Sequence, residues 1–249
     1  MQLLKKYRIG VIVVSLGDFV GISYNKNIKI KALIMQELLE IYDLEGNLIE
    51  IKKRDDFYSE IRKEFYEKGK ISKKIKTVRI LLMNSDGRIY LQKRSKLKNE
   101  NPGLYDKTIG GHVEKGHSYD MTAIKECAEE LGFPMTILSS EEFDKAIQVT
   151  DLSIVGIFKK VDYISNFISK RVVKDGSAFI LPFMTNIYVG YYNGAIRFID
   201  GESAGIEVFS LDELKNNIAS DPNKFTDDLK FMIKEYESYL IPIKKQVAE

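Results

Sequence analysis

The segment from residue 110 to residue 133 constrains the fold most, because a glycine-rich turn leads directly into one short helix with a signal at each end. Its sequence is GGHVEKGHSYDMTAIKECAEELGF. Ser118 is a typical N-cap, and Gly132 with Pro134 behind it is typical of a helix end. We therefore predict a helix from Ser118 to about Leu131. Its apolar side would carry Met121, Ile124, Ala128 and Leu131, with Cys127 on the flank.

Three glutamates of this helix, Glu126, Glu129 and Glu130, would fall within an arc of roughly 100° opposite the apolar residues. Neighbouring carboxylates repel one another, so an isolated helix gains nothing from this arrangement. A hard divalent cation such as Mg²⁺ would convert the repulsion into binding, since it prefers oxygen ligands and bridges phosphates. The spacing alone leaves two interpretations open, a metal site for a diphosphate and a solvated helix face.

The same segment holds both histidines of the chain, His112 and His117, and its only cysteine, Cys127. A single cysteine excludes an internal disulfide, and two histidines leave too few ligands for the common zinc patterns. We expect a reducing, cytoplasmic location. Cys127 is interpreted as a packing residue rather than a nucleophile, because no base lies near it in the sequence.

The charge balance argues against a polyanionic partner. The chain has 38 basic and 36 acidic residues, a net charge of only +2, so we expect no nucleic acid partner. Apolar residues make up 44% and charged residues 30% of the 249, as in a soluble globular protein with one main core. The N-terminal apolar run is short and is interrupted by Asp18, and no stretch approaches the ~20 apolar residues of a membrane span.

Strand and hairpin signals dominate the first half of the chain. Residues 7–35 are predicted to form strands, and residues 38–53 a hairpin that turns at Glu45-Gly46-Asn47. An amphipathic helix follows, with Gly69 after its end. Its apolar positions are Phe57, Ile61 and Phe65. Residues 76–96 form the clearest hairpin signal, with a turn at 84–87.

The second half alternates strands with helices. Strands are predicted within 152–163 and 179–192, with a polar loop at 169–177 between them. A strand then leads into a helix capped by Ser210 and Glu213, and a last helix would begin with Asp221 as N-cap and Pro222 at its first position. This order predicts an α/β (α+β) class, in which helices pack on the faces of a mixed sheet.

The spacing of residues 111–133 resembles the signature of the Nudix hydrolase family. In that signature a Gly is followed by five residues, a Glu, seven residues, Arg-Glu, an apolar residue, any residue, Glu-Glu, any residue, Gly and an apolar residue. Counted from Gly111, the last three glutamates and the final glycine all match. The chain departs from the signature at two positions, since His117 replaces the first Glu and Lys125 replaces the Arg.

The resemblance implies a Nudix-like α/β/α sandwich with a mixed central sheet and a loop-helix-loop metal site. It implies that Mg²⁺ or Mn²⁺ is held by a backbone carbonyl near Gly111 and by Glu126, Glu129 and Glu130. It also implies catalytic roles for Glu129 and Glu130. The departures bear on the rate, because Lys125 lacks the planar fork of arginine and His117 is a mostly neutral group where the family has a carboxylate.

Residues 37–133 further resemble the branch of the family that includes isopentenyl diphosphate isomerases and their hydrolase-like relatives. Those isomerases carry a catalytic Cys where this chain has Gly110, which makes isomerase activity the less favoured outcome. The branch implies that basic residues at the end of the second hairpin face the substrate phosphates and that His112 lines the pocket. The implied substrate-binding residues are Lys93, Arg94, Lys96 and His112.

We therefore predict an N-terminal β-rich extension (1–36), a Nudix domain (37–242) and a tail (243–249). The extension and the 163–178 loop would serve dimerisation or substrate choice, so a homodimer is one expected arrangement. The favoured function is Mg²⁺-dependent hydrolysis of a nucleoside diphosphate linked to another group, or of a similar organic diphosphate. The alternative is a Nudix-fold module that binds a nucleotide or a partner and hydrolyses little. Glu130, Glu202 and Glu207 are the candidates for the general base.

Overall fold

The computed structural model describes residues 37–196 and 203–244, together with the backbone of three short strands before them. These strands are β1 (Val14–Leu16), β2 (Phe19–Gly21) and β3 (Leu33–Ile34), which pair antiparallel in that order. The prediction of strands in this region is confirmed for these residues. The remaining part of 1–36 lies outside the described residues, and the domain boundaries stay predictions. No helix in the described part is long and apolar enough to cross a membrane.

The first predicted hairpin and helix are confirmed. Strands β4 (Leu38–Asp43) and β5 (Leu48–Lys53) pair antiparallel, and α1 (Arg54–Lys68) follows directly. Phe57 and Ile61 are buried on its inner side. Gly69 ends the helix with φ 69°, a left-handed conformation that glycine adopts without a Cβ penalty.

Strand β6 (Lys73–Met83) is the centre of the main sheet. It pairs with β4, with β7 (Ile89–Arg94) across the predicted turn, and with β9 (Ile109–His112). The short β8 (Tyr105–Asp106) pairs antiparallel with Gln92 and Lys93 of β7. Because β6 is covered on both faces, almost all of its residues are buried.

The long hairpin of β11 (Gly156–Val172) and β12 (Ala178–Tyr191) corrects the predicted loop at 169–177. The strands extend through most of that stretch and leave only a tight turn. Phe167 and Ser169 are buried while Ile168 and Lys170 are exposed, so the segment alternates as a strand does. The inward positions include Ser169 and Arg171, and these polar residues hid the pattern from a search for apolar alternation.

The C-terminal elements are partly as predicted. Strand β13 (Ser203–Phe209) leads into a helix, Leu211–Ser220, whose capping box joins Ser210 and Glu213. The predicted start of the last helix at Asp221 is wrong, because residues 222–224 form only a 3₁₀ turn and the helix begins after Thr226. Phe225 is buried in extended conformation, and the Thr226 N–H donates to the Tyr105 carbonyl at 2.9 Å, which delays the helix.

Helices cover both faces of the ten-stranded mixed sheet, which confirms the predicted fold class. The remaining elements are α2 (Tyr119–Glu126), β10 (Met135–Leu138) and α3 (Ser140–Val149), and the two C-terminal helices above are α4 (Leu211–Ser220) and α5 (Asp227–Glu235). Leu81 and Met83 of β6 pack in one apolar cluster with α3, α4 and α5. Ile80 and Leu82 point the other way and pack in a second cluster with α2.

A buried ion pair joins the sheet to α5. Arg79 of β6 is 1% exposed, and its Nη2 donates to Oδ2 of Asp228, in the first turn of α5, at 3.1 Å. Its Nη1 donates to the hydroxyls of Thr77 and Thr185 at 2.6 and 2.8 Å. Asp228 also accepts from the Ser169 hydroxyl at 2.6 Å. Burial is the largest single influence and would raise the pKa of Asp228, but Arg79, Arg171 and Lys107 together outweigh it and hold that pKa below its ordinary value.

We predict that Asp228→Asn lowers the free energy of unfolding at pH 7 by about 3 to 5 kcal/mol, because Arg79 would be left buried without a counter-charge. Asp227→Asn is the matched control in the same helical turn. Asp227 is exposed and pairs only with Lys230 on the surface, so its loss should cost under ~1 kcal/mol. Urea unfolding of the three proteins measures both effects.

The same comparison has a predicted pH dependence. A carboxyl whose folded pKa is depressed stabilises the protein above its unfolded pKa of about 3.9, and this stabilisation is lost as the pH falls through the folded value. The difference between wild type and Asp228→Asn should therefore be full above about pH 5 and shrink below about pH 4. A difference that grows on acidification would contradict the assignment.

Candidate functional site

The glycine-rich segment folds into the predicted turn and helix, with one change in the last turn. The Ser118 hydroxyl accepts from the Met121 N–H at 3.1 Å and caps α2. After Glu126 the helix widens into a π-helical turn, Cys127–Leu131, closed by a hydrogen bond from the Gly132 N–H to the Cys127 carbonyl at 3.1 Å. Turns of this type are frequent at functional sites.

The helix packs against the sheet with a different side from the one predicted. Ala123, Cys127 and Leu131 are buried, as expected for Cys127 and Leu131. Met121 is 55% and Ile124 is 40% exposed, so their predicted burial is wrong, as is that of Ala128. The rotation has a physical reason: Glu126, one residue before Cys127, must point at β9, and this brings Ala123 and Cys127 onto the sheet.

Gly111 makes this orientation of Glu126 feasible. A Cβ atom on Gly111 would lie 2.3 Å from Oε1 of Glu126, so any side chain there would displace the carboxylate. Gly110 is similarly constrained, since its Cβ would lie 2.4 Å from Cε of Lys107. The two adjacent glycines therefore let one acidic and one basic side chain approach the same stretch of β9.

Glu126 and Glu130 form a hydrogen-bonded carboxyl pair. Burial raises the pKa of Glu126 to about 7, and the nearby charges of Glu129 and Glu37 act in the same direction. Two carboxyl groups in contact require either a shared proton or a bound cation. The pair can therefore be satisfied by protonation in the free protein and by a divalent cation when one is available.

This donor set fits Mg²⁺ or Mn²⁺, because both ions favour carboxylate oxygens and retain water ligands. Glu129 lies on the exposed side of the turn, with its carboxylate 3.9 Å from the Lys125 ammonium. Within residues 37–196 and 203–244, no three acidic, histidine or cysteine side chains are arranged to hold a metal ion. A cation held by the two carboxylates of Glu126 and Glu130 would bind water and substrate oxygens as well, because Mg²⁺ usually keeps several waters.

The two departures from the Nudix signature lie in the loop before α2 and on α2 itself. Lys125 forms an ion pair with Glu114 in the preceding loop, and this pair raises the Lys125 pKa although burial opposes it. The His117 N–H donates to the Glu114 carbonyl at 3.0 Å, within a tight turn. The Lys115 N–H donates to the Leu38 carbonyl at 2.7 Å, so β4 holds the loop in place.

His112 lies between a carboxylate and a phenol. Its Nδ1 is 3.2 Å from Oε1 of Glu37, and its Nε2 is 2.7 Å from the Tyr58 hydroxyl. Burial lowers the pKa of His112, and burial also raises the pKa of Tyr58 to about 12. The neutral imidazole therefore donates from Nδ1 to Glu37 and accepts from Tyr58 at Nε2. Both ring nitrogens are engaged, and Glu37 is a site residue that sequence reasoning missed.

A cavity of about 670 Å³ opens beside Gly110, Gly111 and His112. Its walls include seven basic and two acidic side chains. The basic residues are Arg54, Arg62, Arg79, Arg94, Lys98, Lys107 and Arg171, and the acidic ones are Asp55 and Glu100. Some of these charges are balanced from behind the wall, since Asp106 contacts Lys107 and Arg94 at 3.2 and 3.3 Å. The inner surface nevertheless favours a small anionic molecule.

The four predicted substrate-binding residues divide into two groups. Arg94 and His112 line the cavity, whereas Lys93 and Lys96 do not. The Lys93 ammonium lies 3.5 Å from the centroid of the Tyr105 ring, and Lys96 packs near Gly103. Adjacent residues on a strand point to opposite faces, which separates Lys93 from Arg94.

The candidate general bases are also separated. Glu130 belongs to the carboxyl pair, whereas Glu207 is exposed on β13 and accepts a hydrogen bond from Tyr105. Neither Glu130 nor Glu207 lines the cavity, but the partner of Glu130, Glu126, packs against Gly111 of the cavity wall. Glu202 lies outside the described residues.

Comparison with known proteins places the chain in a family. The family model for the NUDIX domain matches residues 73–229, which is more than half of the chain. An uncharacterised Nudix hydrolase of Nostoc sp. is 30% identical over 105 residues, or 42% of this chain and 56% of that protein. Another from Pseudomonas aeruginosa is 38% identical over 77 residues, or 31% of this chain and 44% of that protein.

The chain thus spans about half the length of the curated relatives it matches. A crystal structure from Deinococcus radiodurans is similar with a TM-score of 0.54 and 17% identity, over 80% of this chain and 98% of that chain. At that identity the likeness concerns the fold. The family match, the fold and the spacing of the signature residues within 111–133 agree, and the chain belongs to the Nudix family.

Proposed function

We propose that this protein is a divalent-cation-dependent hydrolase that cleaves the diphosphate of a nucleoside diphosphate linked to another group, or of a similar organic diphosphate. The observation that carries the proposal is the Glu126–Glu130 carboxyl pair, with Glu126 held against Gly111, which is itself part of the wall of a cavity rich in basic residues. Acidic groups that bind a cation and basic groups that bind phosphate are the two components such a reaction requires.

Glu126 and Glu130 would hold the cation beside the backbone of Gly111, and Glu129, which lies on the exposed side of the turn, would have to rotate toward them to act as a third ligand. Bound Mg²⁺ or Mn²⁺ would neutralise phosphate oxygens and lower the pKa of water. Glu130 is the proposed general base, because it contacts Glu126 beside Gly111, whereas Glu207 is exposed on β13 and accepts from Tyr105. Attack of water on one phosphorus breaks the bridging P–O bond and yields two phosphomonoesters.

Arg94 and Lys107 would bind the diphosphate, since both line the cavity next to the glycines. His112 is proposed to orient Tyr58 and Glu37 rather than to bind phosphate, because both of its ring nitrogens are engaged. A volume of about 670 Å³ is in the range of small-molecule sites and suits a nucleotide-sized ligand.

The rival function is a module that binds nucleotides and hydrolyses little. The observation that favours it is the pairing of Lys125 with Glu114, which replaces the arginine of the family signature. Turnover distinguishes the two functions: any nucleoside diphosphate conjugate hydrolysed in the presence of Mg²⁺ supports the hydrolase, and stabilisation by such ligands without turnover supports the module.

We predict that Glu130→Gln lowers kcat for nucleoside monophosphate formation by about 10²- to 10⁴-fold, because the amide cannot accept a proton. Glu129→Gln should also lower turnover, through loss of a cation ligand. Glu141→Gln is the control, since Glu141 is exposed on α3 and pairs only with Lys145. Full activity of Glu130→Gln and Glu129→Gln with Mg²⁺ would end the assignment.

We predict that Glu126→Gln raises the melting temperature of the cation-free protein, because the amide removes a buried charge that faces another carboxyl group. Mg²⁺ or Mn²⁺ should raise the melting temperature of the wild type and have little effect on the variant. Thermal scans with EDTA and with each cation test both parts. Equal stabilisation of wild type and variant by the cation would place the metal elsewhere.

A further inference from the structure

Two arginines of the cavity have donors that the protein leaves unused. Among the described residues, the buried side-chain nitrogen and oxygen atoms without a hydrogen-bond partner are Nε of Arg62 and Nε of Arg171. Both side chains line the same cavity. Buried polar groups in folded proteins nearly always have a partner, so the protein holds these two arginines of the cavity wall with fewer hydrogen bonds than is usual.

The fold supports both arginines through contacts to their terminal nitrogens, while their Nε atoms are closed to solvent. Arg62 forms an ion pair with Glu100 through Nη2, and its guanidinium lies 5.8 Å from the centroid of the Tyr58 ring. Arg171 has its Nη2 3.7 Å from Asp228 and lies 5.9 Å from the centroid of Phe183. The neighbouring carboxylates therefore contact the terminal nitrogens.

The arginine pair is separate from the carboxyl pair. Tyr58 stands between them, since its hydroxyl contacts His112, next to Gly111, while the guanidinium of Arg62 lies over its ring. Arg62 comes from α1 and Arg171 from β11, whereas Glu126 and Glu130 come from the helix and turn on the other side of β9. A ligand that reaches both ends must carry anionic groups at two positions.

We propose that Arg62 and Arg171 form a second anion subsite, which binds a phosphomonoester or a carboxylate that the substrate carries in addition to its diphosphate. This inference rests on the proposed function for the diphosphate end. Guanidinium groups are suited to the task, because charge-assisted hydrogen bonds to phosphate or carboxylate are stronger than neutral ones. The preferred substrate would then be a nucleoside diphosphate conjugate with an extra anionic group.

Matched ligand pairs test the subsite by binding in EDTA, where no turnover occurs. The pairs are NADPH with NADH and coenzyme A with dephospho-coenzyme A for the phosphomonoester, and UDP-glucuronate with UDP-glucose for the carboxylate. Calorimetry should show about tenfold or tighter binding of the more anionic member in at least one pair. The pair that is discriminated identifies the group, and equal binding within every pair would overturn the subsite.

Arg62→Gln should reduce that preference to within about twofold. Lys63→Gln is the matched control, because it removes the same charge from the next residue of α1, where the side chain is 75% exposed and pairs with Glu67. Arg171→Gln should act like Arg62→Gln, and Arg62→Gln alone suffices if the contact between Arg171 and Asp228 proves essential for folding. A preference that survives in Arg62→Gln would contradict the proposal.

The binding test of the arginine subsite can be distinguished from the test of hydrolase activity. If Mg²⁺ supports no hydrolysis of any ligand while the more anionic member of a pair still binds preferentially, the proposed function fails and the subsite stands. If hydrolysis occurs with no preference within any pair, the subsite fails and the proposed function stands.

Discussion

The buried ion pair between Arg79 and Asp228 is the interaction on which the rest of the structure depends. It joins the central strand β6 to helix α5, and both partners are almost completely removed from water. Such a pair is tolerated only when hydrogen bonds satisfy the remaining polar atoms, which Thr77, Thr185 and Ser169 do here. The pair also sets the position of the cavity, because Arg79 forms part of its wall. Arg79 thus connects the ion pair that stabilises the fold with the basic residues that line the cavity.

Next to Gly111 of the cavity wall, the Glu126–Glu130 pair is an arrangement that stability alone would not favour. Glu126 packs half-buried against Gly111 and contacts Glu130, although two carboxyl groups in contact destabilise the protein unless a proton or a cation joins them. Ionisable groups with strongly shifted pKa values are characteristic of functional sites, where residues needed for activity often lower the stability of the protein. Gly111 is essential to the arrangement, because even a methyl group would collide with the Glu126 carboxylate.

Much of the fold could be predicted from the sequence, because its signals are local. The hairpin turns, the Ser118 cap and the capping box at Ser210 depend on neighbouring residues and are confirmed. The rotation of α2 could not be predicted, because it depends on the approach of Glu126 to a distant strand. Arg171 was missed for a related reason: it lies on a strand whose inward positions are partly polar, so apolar alternation gave no signal.

The central claim is that the carboxyl pair and the basic cavity together support attack of water on a diphosphate. The most direct measurement is hydrolysis of a nucleoside diphosphate conjugate in ¹⁸O-labelled water, with the products weighed by mass spectrometry in Mg²⁺ and in EDTA. The account predicts one ¹⁸O atom in one of the two phosphomonoester products, formed only with the cation. Cleavage that is equally fast in EDTA, or cleavage without ¹⁸O on phosphorus, would contradict it.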